Sequence, residues 1–125
     1  MTVSADLFRG LHVYLCGDTS GENAKAEYEQ AEGVARRLGA VSVTNPYKHL
    51  SMYAYRTEAQ RLRWKLHALT TGELSAKDGG GYDLVLLLKS WQNSKAAYQE
   101  AVVADWCGIR IAPISPLLER MEPIV

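Results

Sequence analysis

The chain has 125 residues, with 14 basic and 14 acidic side chains and a formal net charge of zero. That length fits one domain over residues 1–125, large enough to bury a core and leaving little room for a second. The charge balance argues against a general binder of nucleic acid or membrane surfaces, which would carry a clear basic excess.

Leu11-His12-Val13-Tyr14-Leu15-Cys16 is a short apolar run closed by Gly17-Asp18-Thr19-Ser20-Gly21, the pattern of a buried strand ending in a turn. From Glu22 to Leu38 the pattern is helical, with Ala24, Tyr28, Ala31, Ala35 and Leu38 at three- and four-residue steps and Gly39 as the stop. Val41 to Thr44 reads as a second strand, ended by Asn45-Pro46, and the aromatic stretch Tyr47 to Tyr55 as a loop or broken turn. A helix is expected over Thr57 to Leu69, with Ala59, Leu62, Leu66 and Leu69 on one face and Arg56, Arg61, Arg63 and Lys65 mostly elsewhere. After the polar, glycine-rich connection Gly72 to Gly81 comes the strongest strand, Tyr82 to Leu88, apolar enough to be covered on both faces. Asn93 to Cys107 is helical, Ile109 to Ala112 a fourth strand, and the tail carries a turn of helix around Leu117 to Met121.

Strand and helix alternating in this way predict an α/β fold, a flavodoxin- or Rossmann-like three-layer sandwich with a mostly parallel sheet of four to five strands. Such sheets bind ligands beyond the carboxyl ends of their strands, near the reversal of strand order. The site is therefore expected among Gly17 to Gly21, Asn45 to Tyr47 and the Lys89 to Ser94 loop. The glycine-rich turn after the first strand has neither the spacing nor the lysine of a P-loop, and Asp18 would repel an anion, so a sugar hydroxyl suits it better. Within the last long helix, Glu100 sits among Ala97, Ala101 and Ala104, and reads either as a solvated helix glutamate or as a carboxylate on an otherwise apolar face. Trp91 and Tyr98 read equally as core or as stacking partners for a base.

His12, His49 and His67 lack metal-ligand spacing, and Cys16 and Cys107 read as buried free thiols, so no metal or cofactor is expected. No secretory pattern is visible at the N-terminus, and the longest apolar run, Leu84 to Leu88, is far too short to cross a bilayer. A cytoplasmic location is expected.

Val13-Tyr14-Leu15-Cys16-Gly17-Asp18, with Asn45-Pro46 after the second strand, resembles the nucleoside 2-deoxyribosyltransferase superfamily and the 2'-deoxynucleoside 5'-phosphate N-hydrolases. Asp83, Trp91, Ser94, Ala97 and Glu100 resemble the third-strand segment of a subgroup of small phage and bacterial proteins, which reads aspartate, apolar strand, Gly-Trp, then Ser-x-Gly-Ala-x-x-Glu. The chain departs from it at Ser90 and Ala96, where the subgroup has glycine, and at Lys89, where transferases place a further carboxylate. The resemblance implies that Glu100 is the nucleophile toward the anomeric carbon of a deoxyribosyl group. It further implies that Asp83 orients the sugar or Glu100 or protonates the leaving base, and that Tyr14 holds Glu100 or the sugar. Gly17, Asp18, Asn45, Trp91, Ser94 and Ala97 would line the substrate, a nucleoside or its 5'-monophosphate. It also implies a homo-oligomer, with Arg56, Arg61 or Arg63 reaching across to a neighbouring subunit.

Two other readings compete. One is a nucleotide-binding or sequestering module on the same fold without turnover. The other is an oligomeric interaction protein that uses the Tyr47 to Tyr55 aromatics as its surface.

Overall fold

The computed structural model describes residues 6–52 and 57–120. Four strands, β1 (His12–Cys16), β2 (Ser42–Thr44), β3 (Leu84–Leu87) and β4 (Arg110–Pro113), form one parallel sheet in the order β2-β1-β3-β4. Five helices among the described residues accompany them: α1 (Ala24–Arg37), α2 (Pro46–Met52), α3 (Glu58–Thr71), α4 (Lys95–Trp106) and α5 (Ser115–Arg120).

The central strands owe their place to apolar side chains on both faces. Val13 to Cys16 and all of β3 are buried, whereas the edge strand β4 begins with an exposed arginine. Because side chains alternate along a strand, Val13, Leu15, Leu84 and Leu86 face a cluster with Tyr28, Ala31, Val34 and Ala35 of α1. Leu117 and Leu118 of α5 close the edge of that layer. Tyr14, Cys16, Val85 and Leu87 face the opposite layer, with Ala68 and Leu69 of α3 and Ala97, Ala101 and Ala104 of α4. The result is the three-layer sandwich expected, all parallel and with four strands.

Three local readings need correction. The stretch after Asn45-Pro46 is helical: Pro46 opens α2, where a missing N–H costs nothing, and the Asn45 carbonyl and side chain both face the Lys48 N–H, at 3.2 and 3.3 Å. Tyr47 stacks on Tyr28 at 6.1 Å between ring centres instead of joining an aromatic surface; Tyr53, Tyr55 and Arg56 lie outside the described residues. A 3₁₀ turn over Lys89–Asn93, which the apolar pattern does not signal, separates β3 from α4. The third correction concerns α3, where the buried residues are Lys65, Ala68 and Leu69; Ala59 is exposed, and Leu62 and Leu66 are half-buried. A capping box between Thr57 and Gln60 starts this helix. Gly72 ends it at φ 65°, with its backbone so close to the glycine run that a Cβ would lie 1.9 Å from the Gly81 nitrogen. The last turn of helix covers Ser115–Arg120, with Met121 outside the described residues.

No helix among the described residues is long and apolar enough to cross a membrane.

Candidate functional site

Ser94 begins the site by capping α4, its hydroxyl accepting from the Ala97 N–H at 3.2 Å. From there α4 turns Ala96, Ala97, Glu100, Ala101 and Ala104 inward. Four alanines around one glutamate leave space that longer side chains from two other elements fill. Tyr14, from the middle of β1, donates its hydroxyl to Glu100 Oε1 at 2.8 Å. Lys65, from the middle of α3, brings Nζ to 2.9 Å of Oε2, with 1% of its side chain exposed and none of the glutamate's. Oε2 accepts no well-aligned hydrogen bond among the described residues, so charge attraction is what holds that side of the pair.

Burial dominates the electrostatics here. It pushes the Glu100 carboxyl above the usual carboxylate range, against the Lys65 ammonium and the Tyr14 hydroxyl, which pull the other way. The Tyr14 phenol is held well above its ordinary value by burial and then by the negative charge of Glu100. Cys16, whose thiol donates to the Ala97 carbonyl at 3.3 Å, is raised by the same two causes, which keeps it in the inert thiol form. Cys107, expected to be buried, is exposed at the end of α4.

The loops above the sheet interlock through Ser90. Its hydroxyl donates to Glu27 of α1 in a very short contact and accepts from the Asp18 N–H at 2.9 Å, while its own N–H reaches the second Glu27 oxygen at 3.2 Å. Gly17 lies directly beneath: a Cβ there would sit 3.0 Å from both Leu88 Cβ and Ser90 Oγ. The turn after β1 thus needs glycine for close approach to the end of β3.

Two clefts of about 310 Å³ each flank this loop. One, at the reversal between β1 and β3, is lined by Asp18, Glu22, Glu27, Lys89, Ser90 and Asn93 among others, and is mainly acidic. The other lies toward α2 and is lined by Thr19, Ser20, Gly21, Tyr47, Leu50 and Arg61. Arg61 therefore faces a cleft of its own subunit. Glu100 lines neither cleft.

Other expected site residues take positions away from Glu100. Asp83 stands just before β3, at the amino end of the sheet, where it accepts from the His12 N–H at 2.9 Å and from Lys77 Nζ at 2.7 Å. Five residues at about 3.3 Å each put it roughly 16 Å from the carboxyl-end loops. The Lys77 ammonium and then the His12 N–H hold its carboxyl below the usual range, so it is ionised and unsuited to donate a proton. Asn45 is buried as a structural cap, its amide donating to Glu32 at 3.2 Å. Trp91 stacks on Tyr98 at 6.2 Å with the rings 4° from parallel, which occupies one face of the indole.

These strands and loops are what the comparison with known families covers: a family profile matches residues 11–113, from just before β1 to the end of β4. The chain belongs to the DUF4406 family, a domain of unknown function. No curated protein and no solved structure matches it. The DUF4406 match includes Tyr14, Lys65, Glu100 and both clefts, and stops short of α5. Among the described residues of this DUF4406 domain, no group of three or more His, Cys, Asp or Glu side chains could hold a metal ion.

Lys65 and Glu27 join the site without having been expected there, whereas Ser90 belongs to the Lys89 to Ser94 loop expected to line it. For Lys65 a signal existed: Arg61, Lys65, Ala68, Leu69 and Gly72 also recur at three- and four-residue steps.

Proposed function

We propose that the protein acts at the N-glycosidic bond of a nucleoside or its 5'-monophosphate, with Glu100 as the nucleophile. The observation that carries this reading is the Tyr14–Glu100 hydrogen bond at 2.8 Å, which ties a carboxylate on α4 to β1 two residues before the carboxyl end of that strand. The Glu100 carboxylate would attack the anomeric carbon as the C–N bond breaks, its electron pair leaving with the base, which takes up a proton. Water, or a second base, would then release the sugar from the carboxylate ester. Tyr14 orients the carboxylate. Lys65 must withdraw before Oε2 can reach a substrate. Asp83, at the far end of the sheet, is left out of the chemistry. The homo-oligomer that the resemblance implies suits the side chains of Tyr98 and Trp106 on α4, which are 55% and 87% exposed. A location in the cytoplasm fits a nucleotide-processing role.

One observation favours a second reading, a nucleotide-binding module without turnover. Glu100 has no exposed surface and is neutralised by Lys65, as a structural ion pair would be. Incubation with deoxynucleosides and their 5'-monophosphates, followed by chromatography for free base, separates the two. The enzyme reading expects release that Glu100→Ala abolishes while nucleotide affinity is kept, because the lost interaction belongs to the transition state. Binding without release, unchanged by the substitution, would leave the module reading standing.

A further inference from the structure

The lysines and arginines among the described residues fall into two groups with one exception. Arg36, Lys48, Lys65 and Lys77 are each within ion-pair distance of a carboxylate. The remaining lysines and arginines among the described residues are exposed, apart from Arg61. Arg61 is half-buried and makes no ion pair or hydrogen bond through its guanidinium among the described residues. It lines the cleft toward α2, whose other lining residues are Thr19, Ser20, Gly21, Tyr47 and Leu50, with no carboxylate among them. The backbone N–H groups of Thr19 and Gly21 also lack a hydrogen-bond partner among the described residues. The nearby acid, Asp18, is turned away onto Ser20, accepting from its N–H at 2.9 Å and its hydroxyl at 2.7 Å, and lines the other cleft.

We propose that this Arg61 cleft is a binding site for a phosphate monoester. A partly desolvated guanidinium presents a planar fork of donors that matches a phosphate, and it binds one more strongly there than at an exposed position. The Thr19 hydroxyl and the two backbone N–H groups supply further donors. Tyr47 and Leu50 give an apolar wall for whatever the phosphate carries. The acidic cleft on the other side of the loop repels the same group, so the two clefts sort a ligand by charge. Arg61 lies one helical turn from Lys65 on α3, about 6 Å along the axis, which places the phosphate close to the Glu100 pair. This deepens the proposed function and rests on it only in naming the ester a 5'-nucleotide.

The test is calorimetric titration of the purified protein and its Arg61→Gln variant with deoxynucleosides, their 5'-monophosphates and inorganic phosphate. The side chain is half-exposed, and a thermal melt checks that the variant stays folded. The proposal expects monophosphates to bind at least tenfold more tightly than nucleosides, a preference that Arg61→Gln removes while leaving nucleoside affinity unchanged. Inorganic phosphate bound as tightly as the monophosphates, and lost in the variant, upholds the anion site and removes the nucleotide from it. Equal affinity for nucleosides and monophosphates, a preference that survives the substitution, or no binding of any phosphate overturns the proposal. Free-base release is read separately. Release that ignores both phosphate and Arg61 sinks this inference alone, whereas phosphate binding through Arg61 without release sinks the glycosidic reading alone.

Discussion

Replacing Lys65 by methionine strips the cation from a carboxylate that has no water to turn to. An unpaired buried charge of this kind costs about 3–5 kcal/mol, so Lys65→Met is expected to be strongly destabilised at neutral pH. The loss should shrink in acid. Burial already holds the folded pKa of Glu100 above its unfolded value, and removing the ammonium raises it further. A carboxylate raised in this way binds its proton more tightly when folded, so its contribution is present below the ordinary carboxylate range and is lost as pH rises through the folded value. Urea denaturation at acidic and neutral pH measures the difference. A double variant, Lys65→Met with Glu100→Leu, replaces the pair by apolar groups and should return to within about 1–2 kcal/mol of the parent, or exceed it. Recovery of that kind would mean that the fold does not need the pair, leaving chemistry as the reason for it. A double variant as unstable as the single one would make the pair a structural element.

Gly17 and Ser90 set the distance between the ends of β1 and β3. Gly17→Ala puts a methyl group at 3.0 Å from Leu88 Cβ and Ser90 Oγ, so that these side chains must shift to admit it. Overpacking at such a contact costs about 1–3 kcal/mol, and it should also loosen the Asp18–Ser90–Glu27 bridge. A lower midpoint in thermal denaturation, together with weaker nucleotide binding, checks both parts; an unchanged midpoint would contradict the close packing. The elements themselves were legible because period is written in the apolar residues: β3 reads as a continuous run, and α1 as Tyr28, Ala31 and Ala35. The rotation of α3 was not. Its two candidate stripes, one through Leu62 and Leu66 and one through Lys65 and Ala68, are neighbours on the helix surface. Hydrophobicity chooses the first, whereas the buried partner Glu100 selects the second. Helix α2 was hidden for a different reason, since Asn45-Pro46 serves both to end a strand and to start a helix.

The whole molecule opens a cleft where a parallel sheet with this strand order leads one to look, at the carboxyl ends of β1 and β3. The loops expected there, Gly17 to Gly21 and Lys89 to Ser94, do line the clefts. Glu100 and Tyr14 were paired by resemblance and are found in contact. The resemblance made Asp83 their companion, but a strand has two ends, and Asp83 is at the other one. Glu100 itself is packed away beneath the loops, so turnover requires that Lys65 move aside and that the negative charge of Glu100 act on the substrate. Glu100→Gln isolates the charge, because the amide keeps the shape of the side chain and can still accept from Tyr14. The decisive measurement is the rate of free-base release from a deoxynucleoside 5'-monophosphate at saturating concentration, for the parent and for Glu100→Gln. With Glu100 as the nucleophile the rate falls by about 10³-fold or more while nucleotide binding is retained; release by the variant at the parent's rate would overturn that role.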